Sequence, residues 1–362
     1  MADKPTNPFG EPRVIEDLYT APTIGNAAVV TRLRTLVTEA RLHPCLLLEG
    51  PAGVGKARVA LTLAALANCE GEAPAPCGAC WPCRQIARGR HTDILWLGLD
   101  PEKTAPIISV SQARLLLSAL TLRPAYAKRR FVIIDPADAM GPECANALLK
   151  TLEEPPDSTG FILLTERASR LLVTVRSRAQ RVRMGPVHDA ELLPWLAARG
   201  VEDPLRAARL AGGSPGGAMA LAEGSAERWV AVRDQALAAI AGPIEGMFSA
   251  AEGLVKGDRA RWLPEVLALI DALSTLCRDA LLLCGAGAVS DDRLFHPDRR
   301  ATALAWAAAL GPVGVARVAG TLERARADIE AFVNARLVLD GLFTRLATEL
   351  GPARVLRPGV SA

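Results

Sequence analysis

The sequence is poor in aromatic rings, in lysine, in net charge and in long apolar runs. Only 4% of its 362 residues are Phe, Trp or Tyr, too few for the ringed surfaces on which single-stranded nucleic acid stacks. The net charge is +3, so no diffuse basic field announces a polyanion as partner. Of 42 basic residues only six are Lys, a skew that reads as coding bias in an Ala-rich chain. No apolar run approaches the roughly 18 residues that span a bilayer; Val59–Ala67 and Ala303–Leu310 are about half that. The first residues, Met-Ala-Asp-Lys-Pro-Thr-Asn-Pro, lack the charged and apolar regions of a signal peptide. The expectation is a cytoplasmic protein with no membrane contact.

What is present reads as globular. Apolar residues make up 50% and charged ones 22%, and a chain of this length divides into two or three domains. The first half alternates between strand and helix signals. Cys45–Glu49 is a short apolar strand, Ala57–Asn68 an apolar helix, Phe131–Asp135 a second strand and Gly160–Thr165 a third, with a helix over Pro142–Glu154 between the last two. Buried strands separated by helices predict a parallel sheet covered on both faces. After Met184 the pattern turns helical, with short helices around Gly212–Gly217. From Ala241-Gly242-Pro243 onward, long helices carry a stripe of Phe332, Ala335, Leu339, Leu342, Phe343, Leu346 and Leu350, read as core.

Gly50-Pro51-Ala52-Gly53-Val54-Gly55-Lys56 follows a strand and opens a helix. Gly50, Gly53 and Gly55 let backbone N–H groups turn inward around a phosphate, and Lys56 adds a full charge. The next residue should carry a hydroxyl for Mg²⁺, yet Ala57 has no oxygen. After the second strand, Asp135 occupies the metal-handling position, but the Glu that would orient an attacking water is Pro136. ATP or ADP can be cradled here, whereas Mg²⁺ coordination and turnover lose their groups.

Four of the eight cysteines, Cys69, Cys77, Cys80 and Cys83, form C-x7-C-x2-C-x2-C. Four thiolates suit a closed structural Zn²⁺ site; the rival is a redox pair. Cys45, Cys144, Cys277 and Cys284 read as core fillers. Ser109 before an apolar helix reads as an N-cap, and Lys128-Arg129-Arg130 as a solvated turn.

The order of these motifs, together with Val132-Ile133-Ile134-Asp135-Pro136-Ala137-Asp138 and Asn146-Ala147-Leu148-Leu149-Lys150-Thr151-Leu152-Glu153-Glu154-Pro155-Pro156, resembles bacterial clamp-loader AAA+ subunits. The resemblance covers about residues 40–220. It implies a RecA-like α/β P-loop domain with a zinc-binding insertion (1–185, zinc module at 69–83), a small helical lid (186–242) and an all-α collar (243–362). It also implies a place beside gamma/tau and delta subunits in a hetero-pentameric ring that loads the sliding clamp on primed DNA. By the same likeness Arg178, in Arg176-Ser177-Arg178-Ala179, matches the arginine finger that reaches a neighbour's ATP site. Thr165 falls at the first sensor, where its hydroxyl either meets phosphate or serves the strand end. The second-sensor Arg is replaced by Gly217 after Gly213-Ser214-Pro215-Gly216. An active gamma/tau-type ATPase and a stand-alone zinc-dependent nucleic-acid-binding protein are the alternative readings.

Overall fold

The β-branched and leucine-rich runs form the inner strands of a single sheet, and the helices between them cover both its faces. In a computed structural model, which describes residues 9, 12–15, 17–19, 23–72, 75–100, 107–222, 226–285, 289–331 and 333–351, the chain divides into two units, Met1–Met219 and Ala220–Ala362. The first runs α1 (Ala27–Thr38), β1 (Cys45–Glu49), α2 (Lys56–Asn68), α3 (Trp81–Ala87), β2 (Ile94–Leu97), α4 (Val110–Leu120), β3 (Arg130–Ile134), α5 (Pro142–Glu153), β4 (Thr159–Thr165), α6 (Val173–Arg176), β5 (Gln180–Arg183), α7 (Asp189–Ala197), α8 (Pro204–Leu210) and α9 (Pro215–Ala220). All strand pairings are parallel, in the order β2-β3-β4-β1-β5.

The pleat sorts the side chains. Leu46, Leu48, Phe131, Ile133, Ile162 and Leu164 enter one core with residues of α1, α2 and α3. Cys45, Leu47, Val132, Ile134, Phe161 and Leu163 enter the other, with α4 and α5. Strands buried on both faces read as continuous apolar runs, which is why β1, β3 and β4 are legible in sequence. Open parallel sheets offer their ligand crevice at the carboxyl ends of the strands. Here the ends of β1 and β4 meet, the Gly50 N–H donating to the Thr165 carbonyl at 3.1 Å.

A small helical segment closes the first unit around its own core of Val187, Leu192, Leu196, Ala207, Ala208 and Ala218. The second unit holds α10 (Ala226–Ala241), α11 (Ile244–Leu254), α12 (Arg259–Leu283), α13 (Arg300–Glu330) and α14 (Ala335–Leu350). Helix α10 contributes Val232, Ala236 and Ile240 to that unit's core, so the second unit begins before the boundary expected at residue 242. Ala335, Leu339, Leu342, Phe343, Leu346 and Leu350 all lie in this core, while Phe332 falls outside the described residues.

By length and composition the stretch Pro297–Glu330 reaches the size of a membrane span. It is interrupted by non-helical backbone at Gly311 (φ 60°, ψ 178°), and Trp306, Val315, Val318 and Leu322 are buried among the other helices. It is a kinked helix with one face in that core.

Candidate nucleotide and metal sites

The phosphate loop joins β1 to α2, with Gly55 (φ 102°) as the N-cap and Lys56 as the first helical residue. Lys56 is buried, and its ammonium donates to the carbonyls of Gly50 at 2.7 Å and Pro51 at 2.8 Å. Burial lowers its pKa, opposed by the carboxylates of Glu166, Asp135 and Asp138. Asp135 accepts from Arg13 Nε at 2.8 Å. Thr165 donates to Asp138 Oδ1 at 2.7 Å and accepts from the Arg167 N–H at 3.0 Å. Its hydroxyl thus ties the end of β4 to the turn after β3. Arg13, Asp138 and Glu166 were not legible as site residues; only the fold brings them to Lys56.

The small helical segment touches the loop directly. Ser214 Oγ donates to the Ala52 carbonyl at 2.7 Å, and the Gly216 N–H to the Gly53 carbonyl at 3.0 Å. A Cβ on Gly53 would sit 2.4 Å from Ser214 Oγ and 2.8 Å from the Gly217 nitrogen; this crowding, with φ +69°, reserves the position for glycine. Gly217 donates its N–H to Ser214 Oγ at 3.0 Å. Ala57 follows Lys56 on α2 with no side-chain oxygen to offer a cation.

Arg178 lies on the turn after α6. Its Nε and Nη2 donate to Glu153 Oε2 at 3.0 and 2.9 Å, and Nη1 donates to the Thr174 carbonyl at 3.0 Å. Its side chain is 29% exposed and that of Glu153, the last residue of α5, is 57% exposed. Ion pairs this open to water contribute about 0–1 kcal/mol. The guanidinium is therefore held within the chain by contacts of low strength.

The four cysteines converge. The sulfurs of Cys69, Cys77, Cys80 and Cys83 all lie within 4.8 Å of one another, and Cys69 Sγ is 4.0 Å from Cys80 Sγ. Four sulfurs at about 2.3 Å from one Zn²⁺ would stand about 3.8 Å apart, so the set fits such an ion after a small contraction. Cys69 caps α2 and Cys80 caps α3. The Cys77 N–H donates to Cys69 Sγ at 3.4 Å and the Cys80 N–H to Cys77 Sγ at 3.3 Å. Backbone N–H groups of Cys80 and Ala79 pull the Cys77 thiol down to about 6. Burial raises the Cys80 thiol, but N–H groups of Glu70 and Cys83 outweigh it and leave a net lowering. Burial raises the Cys83 thiol. Gly71 completes the knuckle unannounced by any spacing rule: a Cβ there would lie 2.4 Å from Cys77 Sγ.

Two further expectations resolve locally. Ser109 is an N-cap in a full capping box with Gln112. Lys128-Arg129-Arg130 is only partly a solvated turn: Lys128 is exposed, Arg129 lies 5.4 Å from the Phe131 ring centroid, and Arg130 is buried against Asp93. Asp93 also accepts the N–H groups of Ala125, Tyr126 and Ala127, so this buried pair closes the turn before β3.

Comparison with known proteins places the segment. Residues 25–188 match the family described as DNA polymerase III, delta subunit. DNA polymerase III subunit delta' of Pseudomonas aeruginosa is 38% identical over 174 residues, 47% of this chain and 52% of that protein. Subunit tau of Escherichia coli is 36% identical over 159 residues, 44% of this chain and 24% of that protein. Among solved structures, a gamma subunit-related protein of Thermotoga maritima aligns with TM-score 0.43 at 17% identity, covering 89% of this chain and 99% of that one. The chain spans about half the length of the delta' relative and a quarter of the tau relative. On the matched segment, which carries the phosphate loop, the cysteine knuckle and Arg178, the chain is similar to the delta' and tau subunits of DNA polymerase III.

Proposed function

We propose that this chain is the delta-prime-type subunit of a replicative clamp loader, a protein with little or no ATP hydrolysis of its own. Its part is to complete a neighbouring subunit's ATP site with Arg178 while the sliding clamp is placed on primed DNA. The observation that carries this reading is an asymmetry. The groups that would hold the metal, orient the water and meet the chain's own phosphate are replaced at Ala57, Pro136 and Gly217, while Arg178 is kept, half-buried and paired with the exposed Glu153.

A guanidinium suits this task because its planar, permanent charge spreads over phosphate oxygens as negative charge develops. Arg178 would exchange Glu153 for the neighbour's phosphates. Lys56 and the backbone of Gly50–Gly55 would hold ATP or ADP, and Asp135 is the residue left to face any Mg²⁺. The fold implied for this half is the AAA+ P-loop domain, with Ser214–Gly217 belonging to the lid and α10–α14 to the collar. Gamma/tau and delta subunits are the partners in a hetero-pentameric ring, in a cytoplasmic setting whose reducing conditions keep the four thiolates available. Cys69, Cys77, Cys80 and Cys83 would hold one Zn²⁺, which supplies structure and no open coordination position.

The match to tau gives the gamma/tau-type ATPase its standing as the second reading. Ala57 and Gly217 oppose it: one removes the oxygen that holds the metal, the other the cation that would meet the chain's own phosphate. The test is steady-state ATP hydrolysis by gamma/tau and delta with clamp and primed DNA, with and without this chain. Stimulation on addition, with none by the chain alone, supports the proposal. Magnesium-dependent hydrolysis by the purified chain, lost in Lys56→Ala, would overturn it in favour of the second reading.

A further inference from the structure

The exposed aromatic side chains among the described residues are Trp81, Tyr126 and Phe248, and two of these three meet at one spot. The Trp81 and Tyr126 ring centroids are 5.2 Å apart, tilted 54°, with Tyr126 66% exposed and Trp81 41% exposed. The buried His91 ring backs Trp81 at 5.3 Å. The scarcity of rings in the whole chain thus conceals a local concentration of them.

The chain around these two rings is basic. Residues 75–92 and 122–130, which carry Trp81 and Tyr126, contain seven Arg or Lys and no Asp or Glu, in a chain whose net charge is only +3, with Asp93 directly after the first stretch. Arg130 is consumed by Asp93 and Arg129 is half-buried, but Arg84, Arg88, Arg90, Arg123 and Lys128 are exposed. Glu70 and Glu72 border the patch on the Cys69 side. Lys128 Nζ donates to the Cys69 carbonyl at 3.0 Å, which joins the turn to the cysteine knuckle. Trp81 lies between Cys80 and Pro82 at the start of α3, and Tyr126 on the turn that Asp93 closes. Both flank the amino ends of β2 and β3, the opposite edge of the sheet from the phosphate loop.

We propose that Trp81 and Tyr126, rimmed by Arg84, Arg88, Arg90, Arg123 and Lys128, form a contact site for single-stranded nucleic acid on the cysteine-module face of the chain. Stacking rings inside a cationic surface are the chemistry by which single strands are held without sequence preference. The Asp93 clamp and the cysteine knuckle fix the two rings in advance, so little side-chain order has to be gained on binding. This site shares no residue with Arg178 or the phosphate loop, and its test does not depend on the proposed function above.

The test is fluorescence anisotropy of a labelled 20-residue oligothymidine titrated with the full chain between 50 and 200 mM salt. Binding is expected, with log Kd rising against log salt at a slope of roughly 2–4, from three to five phosphate contacts at about 0.7 each. Tyr126→Ala is expected to weaken binding about tenfold through a lost stack, and Arg123→Glu to lower both affinity and salt slope. These two sites are exposed, so they carry the test even where Trp81→Ala disturbs the knuckle. No binding at 50 mM salt would overturn the proposal. So would equal affinity for a duplex of the same length combined with indifference to Tyr126→Ala. Competition by polyglutamate as effective as by oligothymidine would overturn it too, making the face an acidic-protein contact.

Discussion

At the scale of single residues, the account rests on what short side chains cannot do. The Ala57 side chain has no lone pair to offer Mg²⁺, so nucleotide affinity of the isolated chain is expected to change less than about threefold between Mg²⁺ and EDTA. A calorimetric or fluorescent-nucleotide titration reads this directly, and a strong magnesium requirement would show that another oxygen, Asp135 or Asp138, has replaced the hydroxyl. Glu153 makes the complementary case. It holds Arg178 in an exposed pair, so Glu153→Gln is expected to alter stability by under about 1 kcal/mol in a denaturant titration. A larger loss would mean that Arg178 is a structural strut. Arg178 was found in sequence only through the resemblance, because nothing local distinguishes it in an Arg-rich chain; Glu153 as its partner was invisible, since α5 and the turn after α6 meet only once the sheet has formed.

Among the elements, the cysteine knuckle makes the sharpest prediction. One equivalent of zinc is expected by metal analysis, and Cys80→Ser should reduce it and lower the thermal midpoint by several degrees, since metal-binding energy is here folding energy. Gly71→Ala should do the same without touching a ligand, because its Cβ would press on Cys77 Sγ. A metal-free wild type of full stability would remove zinc from the account. The spacing of the four cysteines was legible because ligand distance along the chain survives into space. Strands β1, β3 and β4 were legible for a different reason, being apolar on both faces. Strand β5, Gln180-Arg181-Val182-Arg183, was not: it pairs only with β1, half exposed, and reads as polar. Strand β2 is four residues long, too short for periodicity to speak. Arg130 misled because a charged residue beside Lys128 and Arg129 looks solvated, whereas Asp93, thirty-seven residues earlier in sequence, draws it into the interior.

The whole molecule adds a second unit whose stability is tied to pH. Inside it, Arg233 is 1% exposed and donates to Asp298 at 2.6 Å and to His296 Nδ1 at 3.0 Å. His296 Nε2 then carries the proton and donates to Thr275 Oγ1 at 2.9 Å. Burial, then the neighbouring Arg233 charge, pushes His296 down to about 4. Burial raises the Asp234 and Asp298 carboxyls, but hydrogen bonds from Arg233 outweigh it and leave both below the usual range. The signs agree. The unfolded chain binds a proton at His296 near pH 6.5 that the folded chain refuses until about pH 4, so stability falls as pH drops through that window, by about 3 kcal/mol at most. The two carboxylates add a further loss below about pH 4. The thermal midpoint is expected to fall between pH 6.5 and pH 5, and His296→Gln should flatten that dependence; an unchanged slope in the variant would place the titration elsewhere.

The measurement that tests the central claim most directly is ATP hydrolysis by the gamma/tau and delta subunits, with clamp and primed DNA, after addition of wild-type chain, Arg178→Ala or Arg178→Lys. The account predicts that all three assemble equally, that only wild type stimulates fully, and that Lys recovers little because it cannot span two phosphate oxygens. Removal of such a finger costs on the order of 10³–10⁵ in rate in the best-behaved phosphoryl-transfer systems, which sets the upper limit here. Equal stimulation by wild type and Arg178→Ala, in complexes of equal composition, would contradict the account and leave Arg178 as a surface arginine paired with Glu153.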